Sequence, residues 1–328
     1  MISRLTERKA SDPQRNSPSC SAQSWLVAAT ALLATPGTAP AVATATHGTA
    51  PAAGAWQKVG SDARSGVSGI AFEGRTAHGA GVRALIVHDN KKTGQRRLSR
   101  IIDKGGSADV SPVTWDGPEP MDLEAVEAVP GKPSEYLALA GRGIIHHLRV
   151  TGSTAKVLDY APLPAIGQGD NFESLALVAR HGHLAALWAD RGAGHRPATL
   201  YTAPLTFDEY GQPQFGGVTH RTYRAAYPAG DAVRHVSDIS VTDSGRILVS
   251  SASDDGPFDS AVSDAGRVTV SAAGRVRVTL AASPDVLARF PQYKIEGVEC
   301  LPGSSDALLG TDDENLGGYV RTAPLCGS

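Results

Sequence analysis

Asn171-Phe172-Glu173-Ser174-Leu175-Ala176-Leu177 is a short apolar run broken by one glutamate, and four other segments share its grammar. They are Val67-Ser68-Gly69-Ile70-Ala71-Phe72, Leu123-Glu124-Ala125-Val126-Glu127-Ala128, Val236-Ser237-Asp238-Ile239-Ser240-Val241 and Ile295-Glu296-Gly297-Val298-Glu299-Cys300. Each opens on an apolar residue, continues with Glu or Ser and then a small residue or Asp, and returns to an apolar one. Each is followed, after a turn, by a second apolar run with a polar end. Those ends are His88-Asp89-Asn90, Ala140-Gly141-Arg142, Ala189-Asp190-Arg191, Ser253-Asp254-Asp255 and Thr311-Asp312-Asp313. A unit recurring at a fixed interval is the signature of a repeat architecture.

Third strands follow at residues 144–150 and 199–205, and fourth strands at 218–224 and 275–280. The runs are four to seven residues long, partly β-branched, and separated by Gly, Pro, Asp and Ser turns. Only residues 284–290 suggest a short helical turn. Four strands per unit, repeated, predicts an all-β propeller, in which radial repetition leaves only short, protected sheet edges. Val67 to Ile295 is 228 residues over four steps, or 57 per blade, so the ring holds five blades. A sixth fits only if the long third unit, 64 residues from Phe172 to Val236, is divided. The last unit has three strands of its own, and Gln57-Lys58-Val59-Gly60 is placed to supply the fourth and close the ring.

The chain carries 31 basic and 33 acidic residues, so no nucleic-acid-binding surface is indicated. No apolar run reaches the roughly 18 residues that would span a bilayer. Arg4, Arg8, Lys9 and Arg15 precede an apolar stretch at 25–34 and then Ala41-Val42-Ala43, the layout of a secretory signal over residues 1–43. Residues 44–55 have little to bury and read as a flexible leader, leaving 56–328 as one propeller domain. Export agrees with the cysteines. Cys20 leaves with the signal, and Cys300 and Cys326 form an even pair suited to a disulfide in an oxidising compartment. Such a bridge closes a loop of 26 residues and contributes about 3.5 kcal/mol in the chain-entropy picture.

In a propeller the inner strand of every blade starts on one face. That places Glu124, Glu173 and Glu296, with Ser68, Ser237 and Asp238, around the mouth of the central channel. Asp89, Asp190, Asp254 and Asp312 lie on adjacent turns facing the same way. Carboxylates converging on a narrow channel do not all stay ionised without a counter-charge. Either some take up protons or a cation sits among them, and oxygen-rich sites of this kind suit Ca²⁺ held by Glu124, Glu173 and Glu296. The Asp-rich turns at 254–256 and 312–315 lack the spacing of a calcium loop. His88 is the one imidazole at this face and the only candidate proton carrier. His146 and His147 are strand neighbours pointing to opposite faces. His181 and His183 flank a surface turn, and Lys91, Lys92, Arg96, Arg97 and Arg100 read as a solvated hairpin. No nucleophile elbow and no zinc spacing is present.

The segments Asn171-Phe172-Glu173-Ser174-Leu175-Ala176-Leu177, Asp122-Leu123-Glu124-Ala125-Val126 and Ile295-Glu296-Gly297-Val298 resemble the Glu-Gly-Leu-Ala blade starts of the esterase-like phytase (phytase-like) propellers. Ser174 and Ala125 stand where that pattern has Gly. The resemblance covers about a third of the chain and carries no complete catalytic set. It implies a secreted propeller with an acidic channel, often holding calcium. Two functions follow as expectations. One is a cation-dependent hydrolase of phosphate or carboxylic esters, the cation polarising the ester and a channel carboxylate activating water. The other is a non-catalytic extracellular module, a monomer that binds a small molecule or another extracellular ligand at the channel face.

Overall fold

A computed structural model describes residues 54–76 and 81–327. The expected signal at 1–43 and nearly all of the leader lie outside the described residues. The short strand β1 (Gln57–Lys58) comes first. The first blade is β2 (Gly69–Arg75), β3 (Val82–Val87), β4 (Leu98–Asp103) and β5 (Ala108–Asp116). The second is β6 (Leu123–Ala128), β7 (Glu135–Ala140), β8 (Ile144–Thr151) and β9 (Thr154–Pro162). The third is β10 (Phe172–Arg180), β11 (His183–Asp190) and β12 (Ala198–Phe207), with β13 (Pro213–Phe215) and β14 (Thr219–Tyr223) both on the free edge of β12. The fourth is β15 (Val233–Val241), β16 (Arg246–Ser253), β17 (Asp259–Val270) and β18 (Val276–Pro291). The fifth is β19 (Ile295–Cys300), β20 (Ala307–Thr311) and β21 (Tyr319–Ala323), and β1 pairs antiparallel with β21 to complete it.

The blade count follows from the packing. Inner strands β2, β6, β10, β15 and β19 each pack on the next, and β19 returns to β2. Five apolar clusters fill the five interfaces between neighbouring blades. The protein is therefore a closed five-bladed propeller, and the length of the third unit reflects a fourth strand split into β13 and β14. The stretch 284–290, expected as a helical turn, is instead strand within β18, because it pairs with β17 from Asp259 onward. Gly54 at the end of the expected leader donates to Thr322 O (3.0 Å), extending the closing pair. The Cys300–Cys326 disulfide joins the end of β19 to the segment after β21.

The inner strands run close together. A Cβ on Gly69 would lie 2.8 Å from the Ala125 Cα of the next blade. Parallel inner strands are not laddered to each other, so the N–H groups on their facing edges need other acceptors. Side chains supply them. Phe72 N donates to Glu299 Oε1 (3.1 Å), Leu177 N to Glu127 Oε1 (3.4 Å), Val298 N to Asp238 Oδ2 (2.7 Å) and Cys300 N to Ser240 Oγ (2.9 Å). Each bond crosses a blade interface. Asp238 is thus a staple between blades four and five and does not line the channel mouth expected for it.

Replacing Asp238 with Ala leaves the buried Val298 N–H without an acceptor and is expected to cost about 1–3 kcal/mol. Urea unfolding checks this, and an unchanged midpoint would show that the staple contributes nothing.

Candidate active site

The strand register explains how the channel glutamates are aimed. In β6 the pairing slips between Leu123 and Ala125, in β10 between Phe172 and Ser174, and in β19 between Ile295 and Gly297. The extra residue at each bulge is Glu124, Glu173 or Glu296. A bulge leaves one residue outside the ladder and re-aims its side chain, here into the channel mouth. In β15 the slip is longer and spans Arg234 to Asp238. Arg234 pairs with Ala252 just ahead of this bulge and reaches the mouth from there. Val236-Ser237-Asp238 does hold the repeat position expected for it, since Val236 N bonds Arg191 O of the preceding blade as Phe172 N bonds Gly141 O, and Asp238 pairs with Ser250 as Ser174 pairs with Ala189.

The mouth encloses a cavity of about 110 Å³ lined only by polar and charged side chains. Asp89, Glu124, Glu173, Glu296 and Asp312 meet there as expected, joined by Lys91, Asp122, Asn171, Arg191, Arg234, Lys294 and Glu314. Arg234 Nη1 donates to Glu173 Oε2 (2.9 Å) and Glu296 Oε1 (2.5 Å), and its Nε donates to Asp254 Oδ1 (2.6 Å). Lys294 Nζ lies 3.0 Å from Glu296 Oε1 and 2.7 Å from Glu314 Oε1. Asn171 Nδ2 donates to Glu173 Oε1 (2.7 Å), and Arg191 stands 3.4 Å from the same oxygen. On the opposite wall Lys91 pairs with Asp89 (3.4 Å) and Asp122 (3.1 Å).

Glu124 differs from the rest. It is 6% exposed, yet its carboxyl makes no hydrogen bond or ion pair among the described residues. Burial pushes its pKa well above the usual carboxylate range, and Glu173, Asp122, Glu296 and Asp89 push it further. Burial raises Asp312 in the same way, reinforced by Glu296 and Asp89. Asp89 is also raised by burial, against the pull of Lys91. Burial raises Glu173 while Arg234 and Arg191 oppose it. At Asp254 the same two arginines outweigh burial and hold the carboxyl low. Burial thus favours the protonated forms of Glu124 and Asp312, while ion pairs gather around Arg234 and around Lys91.

Other expected residues stand elsewhere. Asp190 is fully buried, accepts from Asn171 N (3.1 Å) and pairs with Arg196, so it caps a turn. Ser68 and Ser237 are buried with unpartnered hydroxyls and do not line the cavity. His88 is no proton carrier for the channel. Its Nδ1 lies 2.6 Å from Gly66 O and its Nε2 2.9 Å from Ser99 Oγ, and burial lowers its pKa to about 4. The basic run is only partly solvated, since Arg97 is buried near Glu119 and Arg100 grips Glu73 (2.8 Å). His147 bonds Glu135 Oε2 (2.9 Å) while His146 packs against Trp115, so the two neighbours do part.

The donor set does not fit a calcium ion shared by Glu124, Glu173 and Glu296. Arg234 and Lys294 already occupy the facing oxygens, and a dication there would sit beside two fixed positive charges. Among the described residues no three carboxylate, imidazole or thiolate groups are arranged to hold one metal ion. Much of the counter-charge that the converging carboxylates require comes from the chain itself, in Lys91, Arg191, Arg234 and Lys294.

No protein-family model matches the chain, and no curated protein matches it by sequence. Among solved structures it is similar to a GH43 protein, BlXynB, from Bacillus licheniformis, in a mutant form. That match has a TM-score of 0.40 and 13% identity, covering 64% of this chain and 43% of the other. It is also similar to a thermostable family-43 glycoside hydrolase, with a TM-score of 0.44 and 12% identity, covering 78% of this chain and 88% of the other. The chain spans less than half the length of the first. Likeness at this level carries no argument about function. No helix among the described residues is long and apolar enough to cross a membrane.

Replacing Arg234 with Met leaves Glu173 and Glu296 buried without their shared cation. The variant is expected to lose about 3–5 kcal/mol of stability near neutral pH. Asp254, held low in the folded protein by Arg234, contributes stability above its unfolded pKa that is lost as pH falls through its folded one. The deficit should therefore shrink in acid. Melting curves across pH check both points, and equal melting of wild type and variant near neutrality would overturn the keystone role.

Proposed function

We propose that the protein is a hydrolase working by carboxylate acid–base chemistry at this mouth, on a glycosidic C–O bond of a hydroxyl-rich substrate. The observation that carries the reading is Glu124, a buried, unpaired carboxyl facing an ion-paired one across a small polar cavity. A carboxyl that burial favours in its protonated form, across a cavity from one held by cations, has the makings of an acid–base pair. Cleavage of an acetal needs that pair, an acid for the leaving oxygen and a carboxylate for water or the sugar carbon.

Glu124 is the acid. Its proton passes to the leaving-group oxygen as the C–O bond breaks. Glu296 is the partner, since its Oε1 is held by Arg234 and Lys294 while no hydrogen bond among the described residues engages its Oε2. Glu173 has donors on both oxygens and positions Arg234. A cavity of about 110 Å³ admits one end of a substrate and not a whole drug-sized ligand.

Phosphate and carboxylic esters, the substrates of the phytase-like resemblance, are the second reading. The cations Arg191, Arg234 and Lys294 favour it. Each is already paired with a carboxylate, however, and the seven carboxyl groups of the lining outnumber its four cations, which disfavours a further anion. Action outside the cell is supported by the layout of residues 1–43 and by the Cys300–Cys326 bridge.

The test is a panel of p-nitrophenyl glycosides beside p-nitrophenyl phosphate and p-nitrophenyl acetate, with and without EDTA. Release from a glycoside that EDTA does not affect is expected. Glu124→Gln should keep the wild-type melting temperature and lower kcat by about 10²–10⁴-fold. Because Glu124 acts protonated, kcat should fall as pH rises through its elevated pKa, and the variant should lack that limb. Full activity in Glu124→Gln, or EDTA-sensitive phosphate release with glycosides untouched, would overturn the reading.

A further inference from the structure

The inner strands end at a second opening on the opposite face of the ring, and a cavity of about 450 Å³ fills it. This volume lies in the range of small-molecule sites, roughly 300–1,000 Å³. Its walls are partly apolar, with Phe72, Leu177, Leu301 and Pro302 among them. Glu127 and Glu299 also line it, arriving from blades two and five. Each spends one oxygen on a neighbouring strand, Glu127 Oε1 on Leu177 N and Glu299 Oε1 on Phe72 N. Their second oxygens have no partner among the described residues, although Glu299 is only 8% exposed. Among the described residues no cation pairs with them. The one basic residue in the lining, Arg180, turns its guanidinium to the carbonyl oxygens of Ala179 and Asp243.

We propose that this opposite mouth is a second binding site, distinct from the candidate active site, for a small organic cation: an ammonium group carried on an apolar body. The ammonium sits between the free oxygens of Glu127 and Glu299, and the apolar body lies against Phe72, Leu177 and Leu301. Two carboxyl groups lining one partly apolar cavity with no facing cation do not both ionise readily, so a proton stands in for the ligand in its absence. Burial raises the pKa of Glu299 to about 8. Burial also raises Glu127 well above the usual range, with Glu299 and Asp238 adding to it. Asp238 itself is raised by burial and spends its oxygens on Val298 N and Ile239 N. Asp243 and Arg180 at the rim complete the charged groups facing the pair. Binding exchanges a proton for the ammonium: the carboxyl O–H bond breaks, the proton leaves to solvent, and a charge-assisted hydrogen bond takes its place.

Benzylamine, protonated throughout the range used, is the probe, and benzyl alcohol is its uncharged control, both measured by calorimetry on the whole protein. Benzylamine should bind, with an affinity that rises roughly tenfold per pH unit from about pH 6 until Glu299 has titrated, and should release protons as it does so. Benzyl alcohol should bind at least tenfold more weakly. Glu299→Gln, which keeps an acceptor for Phe72 N, should weaken the amine at least tenfold, while Glu124→Gln at the other mouth should leave it unchanged. The wild-type comparisons stand even if the Glu299 variant does not fold. No amine binding, equal binding of the alcohol, a pH-independent affinity, or loss in Glu124→Gln would each overturn the proposal.

Discussion

Arg234 places one guanidinium where three blades meet. It bonds Glu173 from the third blade, Asp254 from its own and Glu296 from the fifth. Without a cation there, bulged glutamates converging on the axis would repel, and the ring could close only with several of them protonated. A buried ion pair is weak evidence for stability, because desolvation offsets much of the attraction. Its value in this ring is selective. Glu173 and Glu296 are bound to the guanidinium, while Glu124, outside its hydrogen bonds, is pushed well toward the protonated form by burial and by its carboxylate neighbours. One residue type in one kind of bulge therefore acquires two chemical characters, decided by the distance to a single arginine.

Radial symmetry creates a second constraint. Five inner strands standing side by side have edges that cannot form ladders with each other, and water is excluded from them. Glu127, Asp238, Ser240 and Glu299 supply the missing acceptors across blade interfaces. Acidic residues in this role are awkward, since a buried carboxylate is costly to ionise. Burial pushes the pKa values of Glu127, Asp238 and Glu299 up, while the backbone N–H groups they accept from pull the other way. Acidity deep in the channel is thus a consequence of how the blades are joined, separate from any chemistry at the mouth.

Much of the architecture was legible in the sequence. Short apolar runs at regular intervals specify inner strands, and β6 and β19 begin and end where the pattern predicts. Closure by Gln57-Lys58 and the Cys300–Cys326 pairing were legible as well, because both depend on counting. The site was only half legible. Glu124, Glu173 and Glu296 were recognisable from their repeat position, but Arg234 was not. The bulge in β15 spans more residues than the others, and Arg234 lies ahead of it, outside the repeated Val236-Ser237-Asp238 position. No repeat position marks Arg234, so the counter-charge is visible only once the fold brings it to the mouth. Asp190 and His88 misled for another reason. Turn position fixes which face a residue is near, while its hydrogen bonds decide whether it faces the channel, and those depend on Asn171, Gly66 and Ser99, which are remote in sequence.

The two mouths differ because cations are distributed unequally along one axis. Lys91, Arg191, Arg234 and Lys294 all stand at the end where the inner strands begin. At the end where they finish, the lining holds Arg180 alone, and its guanidinium is taken by backbone carbonyls. Both ends collect carboxyl groups, the first through bulges and the second through interblade staples. At the first end internal ion pairs satisfy most of the charge, so a substrate meets a small polar cavity in which burial favours the protonated forms of Glu124 and Asp312. At the second, charge is suppressed by protonation, and the free energy stored in that suppression is available to any cation small enough to enter. The same surplus of acid over base thus gives one end the means to transfer a proton and the other the means to exchange one.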